Sequence, residues 1–126
     1  MSTRFRRIPS YKPRIRRTKK EISKQRLCDM QREISSHVGR LLVLIKEGNK
    51  EQVETAQYKA RIDLIKTAPE MRKLAEKVNQ TVYSATDRYL HSVEVVVHTP
   101  IIQIDPFSID QCYLASRELE DNLKTA

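Results

Sequence analysis

Apolar residues return at intervals of three and four along most of this 126-residue chain. Leu27, Met30, Ile34, His37, Leu41 and Leu44 follow one another at 3-4-3-4-3, and Val38, Leu42 and Ile45 widen the stripe. That period is the signature of an amphipathic helix with one face on a core. Thr18 and Glu21 have capping-box spacing, so the helix is predicted to begin there and to run over 19–47. Gly48 supplies the left-handed residue that a helix end favours, and Asn49 with Gln52 can cap the next helix. The second helix, over 50–66, presents Val53, Ala56, Ala60 and Leu64, with Ile65 beside them. Its small residues suit close approach to the first.

Thr67-Ala68-Pro69-Glu70 repeats the capping pattern with proline in the first turn, where its missing amide hydrogen costs nothing. Either a third helix starts there or one long helix kinks. Met71, Leu74, Ala75, Val78, Val82, Ala85 and Tyr89 continue on one helical face over 70–90. The composition then changes to Val93, Val95, Val96, Val97, Ile101, Ile102 and Ile104 around Thr99-Pro100. Such β-branched density predicts an extended or β segment near 93–104. Ser108 with Gln111 has capping register after Pro106, and a last helix over 109–124 would face inward with Ile109, Cys112, Tyr113, Leu119 and Leu123. The fold class expected is mainly α: a helical hairpin or small helical bundle.

Charge changes this picture at one end. The first twenty residues hold nine Lys or Arg and no acid; through Arg26 the count is eleven bases against Glu21, a net of +10 in a chain of formal charge +8. The remainder is thus slightly acidic, with a net of −2. Residues 1–17 carry two prolines, Pro9 and Pro13, strong self-repulsion and no helical period, so they read as a disordered basic arm on a helical domain of 18–126. The arm predicts a polyanionic partner.

Six of the nine bases in residues 1–20 are Arg, whose guanidinium fork matches phosphate and stacks on bases. Phe5 and Tyr11 lie among them and could stack on unpaired bases, which favours RNA over DNA. The candidate nucleic-acid-binding residues are therefore Arg4, Phe5, Arg6, Arg7, Tyr11, Lys12, Arg14, Arg16, Arg17, Lys19 and Lys20. The same arm could dock acidic membrane or a partner protein. Its Arg-rich, acid-free composition also fits a mitochondrial transit peptide, against which Pro9 and Pro13 argue by interrupting a helix.

Little points to catalysis. Two glycines, Gly39 and Gly48, cannot write a phosphate loop or a dinucleotide-binding turn. His37, His91 and His98 lack the spacing of a metal pair. Ser84, Asp87 and His91 share a helical face and mimic a hydrolase triad, yet a straight helix offers neither a strained nucleophile turn nor an oxyanion hole. Glu118, Glu120 and Asp121 form an acidic cluster that reads as a solvated face or a receiver for the arm. Cys28 and Cys112, far apart in apolar stretches, read as buried thiols of a reducing compartment, cytoplasmic or nuclear. The expectation is a non-enzymatic protein without cofactor, self-associating through leftover apolar surface.

The turn Ile45-Lys46-Glu47-Gly48-Asn49-Lys50-Glu51, joining a long basic-started helix to a second one, resembles the helical hairpin of the filament-forming subunits of the endosomal sorting complex (ESCRT). That resemblance implies a helical assembly scaffold as the alternative function.

Overall fold

A computed structural model describes residues 18–100 and 103–126. Four helices follow in order: α1 (Lys19–Glu47), α2 (Lys50–Val78), α3 (Gln80–His98) and α4 (Pro106–Thr125). Among the described residues there is no strand.

The capping box at the start of α1 is present in full: Glu21 N donates to Thr18 Oγ1 at 3.1 Å, and Thr18 N donates to Glu21 Oε1 at 3.0 Å. Gly48 ends the helix with φ 74°, in the region where a Cβ would be strained, and its N–H reaches the carbonyls of Leu44 and Ile45. Asn49 Oδ1 accepts from Gln52 N at 3.0 Å and starts α2.

Of the two alternatives at Pro69, a new helix or one long one, the chain takes the second: α2 runs through it without a break. The amide hydrogen it lacks would have bonded Ile65, and both residues lie on the solvent side, where water replaces the lost bond. Thr67 is not a cap; its hydroxyl donates back to the Asp63 carbonyl at 2.9 Å. The interruption falls at Asn79 instead. Its backbone is extended at φ −173°, ψ 173°, so it ends α2 and, through Oδ1 accepting from Val82 N at 2.8 Å, caps α3. One residue thus folds the apolar run of 70–90 back on itself.

The valine-rich stretch is helical through His98, which corrects the extended reading for 93–98. Val93, Val96 and Val97 continue the face of Tyr89 and Leu90 and are essentially fully buried, so packing overrides β-branched propensity. Pro100 then disfavours helical backbone at Thr99, which is extended at ψ 132°. Residues 101–102 lie outside the described residues. Helix α4 begins earlier than 109: Asp105, not Ser108, is its cap, accepting from Ser108 N at 2.8 Å, with Pro106 in the first turn.

The helices run up, down, up and down. Pairs such as His37–Asp63, Arg72–Asp87 and Arg88–Glu118 mark three successive antiparallel neighbours. One core joins all four, from Leu27 and Leu41 through Val53 and Met71 to Leu90 and Leu119. Contact between α1 and α4 is much slighter than that between helices adjacent in sequence. Two residues expected inside are outside: Ile65 is 70% exposed and Tyr113 45%. Cys112 is buried and Cys28 half-buried, both as free thiols.

A buried polar network crosses the bundle near its middle. Gln31 Nε2 donates to the Ser116 carbonyl at 2.9 Å and hydroxyl at 2.7 Å, and the Tyr89 hydroxyl lies 2.6 Å from Ser35 Oγ and donates to the Gln31 carbonyl at 3.2 Å. Burial pushes the Tyr89 phenol pKa well above its ordinary value. Gln57 Nε2 serves a similar purpose lower down, donating to the carbonyls of Val96 and Thr99 at the end of α3.

Candidate nucleic-acid interface

Of the basic and aromatic residues singled out above, only Lys19 and Lys20 are among the described residues. Arg4, Phe5, Arg6, Arg7, Tyr11, Lys12, Arg14, Arg16 and Arg17 lie outside them. Lys19 and Lys20 occupy the first turn of α1, both exposed. Cations there add to the positive end of the helix dipole instead of offsetting it, which makes the turn attractive to an anion.

The positive surface continues into the bundle. Lys20, Lys24, Cys28 and Arg32 succeed one another at four-residue steps along α1 and so follow one face. Lys24, Cys28 and Arg32 line a cleft of about 510 Å³ between α1 and the last turns of α4, where Lys124 joins them. Leu123, Gln25, Glu21 and Glu120 complete its lining. The cleft lies where α1 and α4 pack less closely than helices adjacent in sequence do. It also sits at the end of α1 that follows residue 17.

Whether these cations are free decides what they can bind. Among the described residues, Lys19, Lys20, Lys24, Arg32 and Lys124 take part in no ion pair. Other arginines are spent on joining helices. Arg26 meets Glu70 between α1 and α2 at 2.5 Å, Arg72 Nε donates to Asp87 at 3.1 Å, and Arg88 grips Glu118 with two bonds of 3.0 and 2.7 Å. The hydrogen bond from Arg88 lowers the Glu118 pKa, and the same bond raises that of Arg88. Arg26, Arg72 and Arg88 are thus engaged at helix seams, whereas the cations beside the α1–α4 cleft are in no ion pair among the described residues.

Sequence reasoning missed Lys24, Arg32 and Lys124 as site residues. The four-residue step from Lys20 was a signal for the first two; nothing local could join Lys124 to them, since only the fold brings α4 alongside.

The acidic cluster does not act as a unit. Glu118 is held by Arg88 in the α3–α4 seam, while Glu120 faces the cleft. Ser84, Asp87 and His91 are likewise dispersed: Asp87 is engaged by Arg72, His91 Nδ1 lies 3.9 Å from Glu94, and among the described residues no hydrogen bond links the three. His37 on α1 lies near α2. Its Nε2 is 3.3 Å from Asp63 Oδ2 on α2, at ion-pair distance but outside hydrogen-bond alignment. Among the described residues, no three His, Cys, Asp or Glu side chains are placed to hold a metal ion, and no helix is long and apolar enough to cross a membrane.

A second concavity, of about 710 Å³, lies between α3 and α4 and is more apolar. Val95, Phe107 and Leu114 line it, all substantially exposed, with His91 and the Arg88–Glu118 pair at one side.

No protein-family model, curated protein or solved structure matches this chain.

Proposed function

We propose that this protein is a non-enzymatic nucleic-acid-binding protein, with a preference for RNA over DNA, that needs no cofactor and works in the cytoplasm or nucleus. Residues 1–17 clamp phosphates through their arginines, Phe5 and Tyr11 stack on unpaired bases, and the helical bundle anchors that segment and self-associates. The observation that carries the reading is the charge division: a net of +10 over residues 1–26 against −2 over the rest. Phosphate neutralisation by clustered Lys and Arg supplies most sequence-independent affinity. The unpaired cations on the α1–α4 face extend the same chemistry into the bundle.

A gel shift with a single-stranded RNA, comparing the full chain with residues 18–126, tests it. Among the described residues the buried apolar core runs from Leu27 to Leu123, and circular dichroism checks that the shorter chain folds. Loss of the RNA shift with the helical signal retained supports the reading. Equal binding by the shorter chain refutes it.

The α3–α4 groove favours a second reading, a helical scaffold that assembles with a partner protein or an acidic membrane, in line with the ESCRT-like hairpin of α1 and α2. Retention on anionic liposomes without an RNA shift would select it.

A further inference from the structure

The outward face of α2 carries an apolar stripe that the bundle leaves uncovered. Tyr58, Ile62 and Ile65 are 60%, 41% and 70% exposed, directly opposite the buried Ala60 and Leu64. Their 4-3 spacing continues through exposed Thr55 on one side and Pro69 on the other, the repeat by which one helix lays against another. Scattered single apolar residues on a surface are ordinary; three consecutive stripe positions on one helix are not.

Charge along the same face determines what fits it. Glu51 stands eleven residues before Ile62 and Lys73 eleven after, both on the stripe, both exposed, and neither in an ion pair among the described residues. Lys66 follows Ile62 by the four residues at which Tyr58 precedes it. The face is thus complementary to its own reverse. We infer that α2 is the self-association surface of this protein, pairing antiparallel with α2 of a second copy about a twofold axis through Ile62.

In that register Ile62 meets Ile62, each Lys66 ammonium covers the ring of a Tyr58, and each Glu51 meets a Lys73. A twofold interface repeats every such contact. Parallel pairing would instead set Lys59, Lys66 and Lys73 each against itself. The inference deepens the self-association included in the proposed function and gives it a place on the molecule, on a helix that does not line the basic cleft.

Sedimentation equilibrium of the nuclease-treated full chain tests it. The wild type is expected to be a dimer, Ile62→Glu a monomer with unchanged helical circular dichroism, Glu51→Lys a weaker dimer, and Glu51→Lys with Lys73→Glu a restored one. A monomeric wild type, or a dimer that survives Ile62→Glu, overturns the surface. Failure of the double charge reversal to restore what Glu51→Lys loses overturns the antiparallel register. An RNA gel shift on the same samples keeps the two ideas apart: a dimer that binds no RNA upholds this inference and defeats the nucleic-acid reading, and a monomer that binds RNA does the reverse.

Discussion

Gln31 and Ser116, separated by 85 residues, form the closest polar tie between α1 and α4: one amide nitrogen donates to both the carbonyl and the hydroxyl of the serine. Those two helices share little other contact, so this tie bears unusual weight for its size. Gln31 is itself 1% exposed, and its removal leaves the Ser116 hydroxyl only the 3.4 Å approach of Ser35 Oγ. Gln31→Ala is expected to lower stability by about 1–3 kcal/mol, read from urea denaturation. A loss no greater than that of an exposed control such as Gln25→Ala would show that the tie is incidental.

Tyr89 carries the network to α3. Tyr89→Phe keeps the ring in place and removes the hydroxyl shared with Ser35 and Gln31, at an expected cost of about 1 kcal/mol. Thermal melts of the two proteins at neutral pH measure it.

Burial raises the pKa of both the Tyr89 phenol and the Cys112 thiol. In the unfolded chain these groups ionise at their ordinary values, about 10 and 8.5 respectively. Below those values both states are protonated and the contribution of burial is intact. As pH rises beyond them the unfolded chain releases protons that the folded one retains, so stability falls. Denaturation midpoints should be level from pH 6 to about 8 and decline above that range, with a shallower decline beyond pH 10 in Tyr89→Phe. Equal alkaline slopes in the two proteins would contradict the assignment.

Asn79 closes one helix and opens the next with a single side chain. Asn79→Ala removes the bond to Val82 N and is expected to cost about 1 kcal/mol. Because the apolar stripe runs on through Val78 and Val82, the variant also gains access to an uninterrupted α2–α3 helix. Size-exclusion chromatography would then show a domain-swapped species absent from the wild type.

How much of this was legible beforehand follows from where local physics decides the outcome. The start of α1 and the Gly48-Asn49 turn could be read because caps are made by residues three or four apart. Pro69 leaves two outcomes open in the sequence, a new helix or one long one, because the cost of proline depends on whether the lost bond faces water, a property of the tertiary fold. The valine run misled for the same reason: Val93, Val96 and Val97 are buried by α3's neighbours, and their helical spacing was masked by Val95 between them. Asn79 has the chemistry of a cap residue but sits inside an unbroken apolar pattern that hides the break. Of the interface, Lys19 and Lys20 were named from charge alone; Arg32 and Lys124 share a cleft only once α4 has returned to α1.

The unpaired cations make a graded prediction. Lys24→Glu, Arg32→Glu and Lys124→Glu together should weaken RNA binding and reduce the dependence of log affinity on log salt by about 2, at roughly 0.7 per lost phosphate contact on a single strand. The same reversal at Arg26 or Arg72, already engaged with Glu70 and Asp87, should affect stability more than binding.

The most direct measurement is the salt dependence of RNA affinity, followed by fluorescence anisotropy for the full chain and for residues 18–126. With six to nine cations neutralising phosphate, the full chain is predicted to show a log–log slope of roughly −4 to −8, and the shorter chain a small slope with greatly weakened binding. Equal affinity and equal slope for the two would contradict the claim that residues 1–17 form the principal contact with nucleic acid.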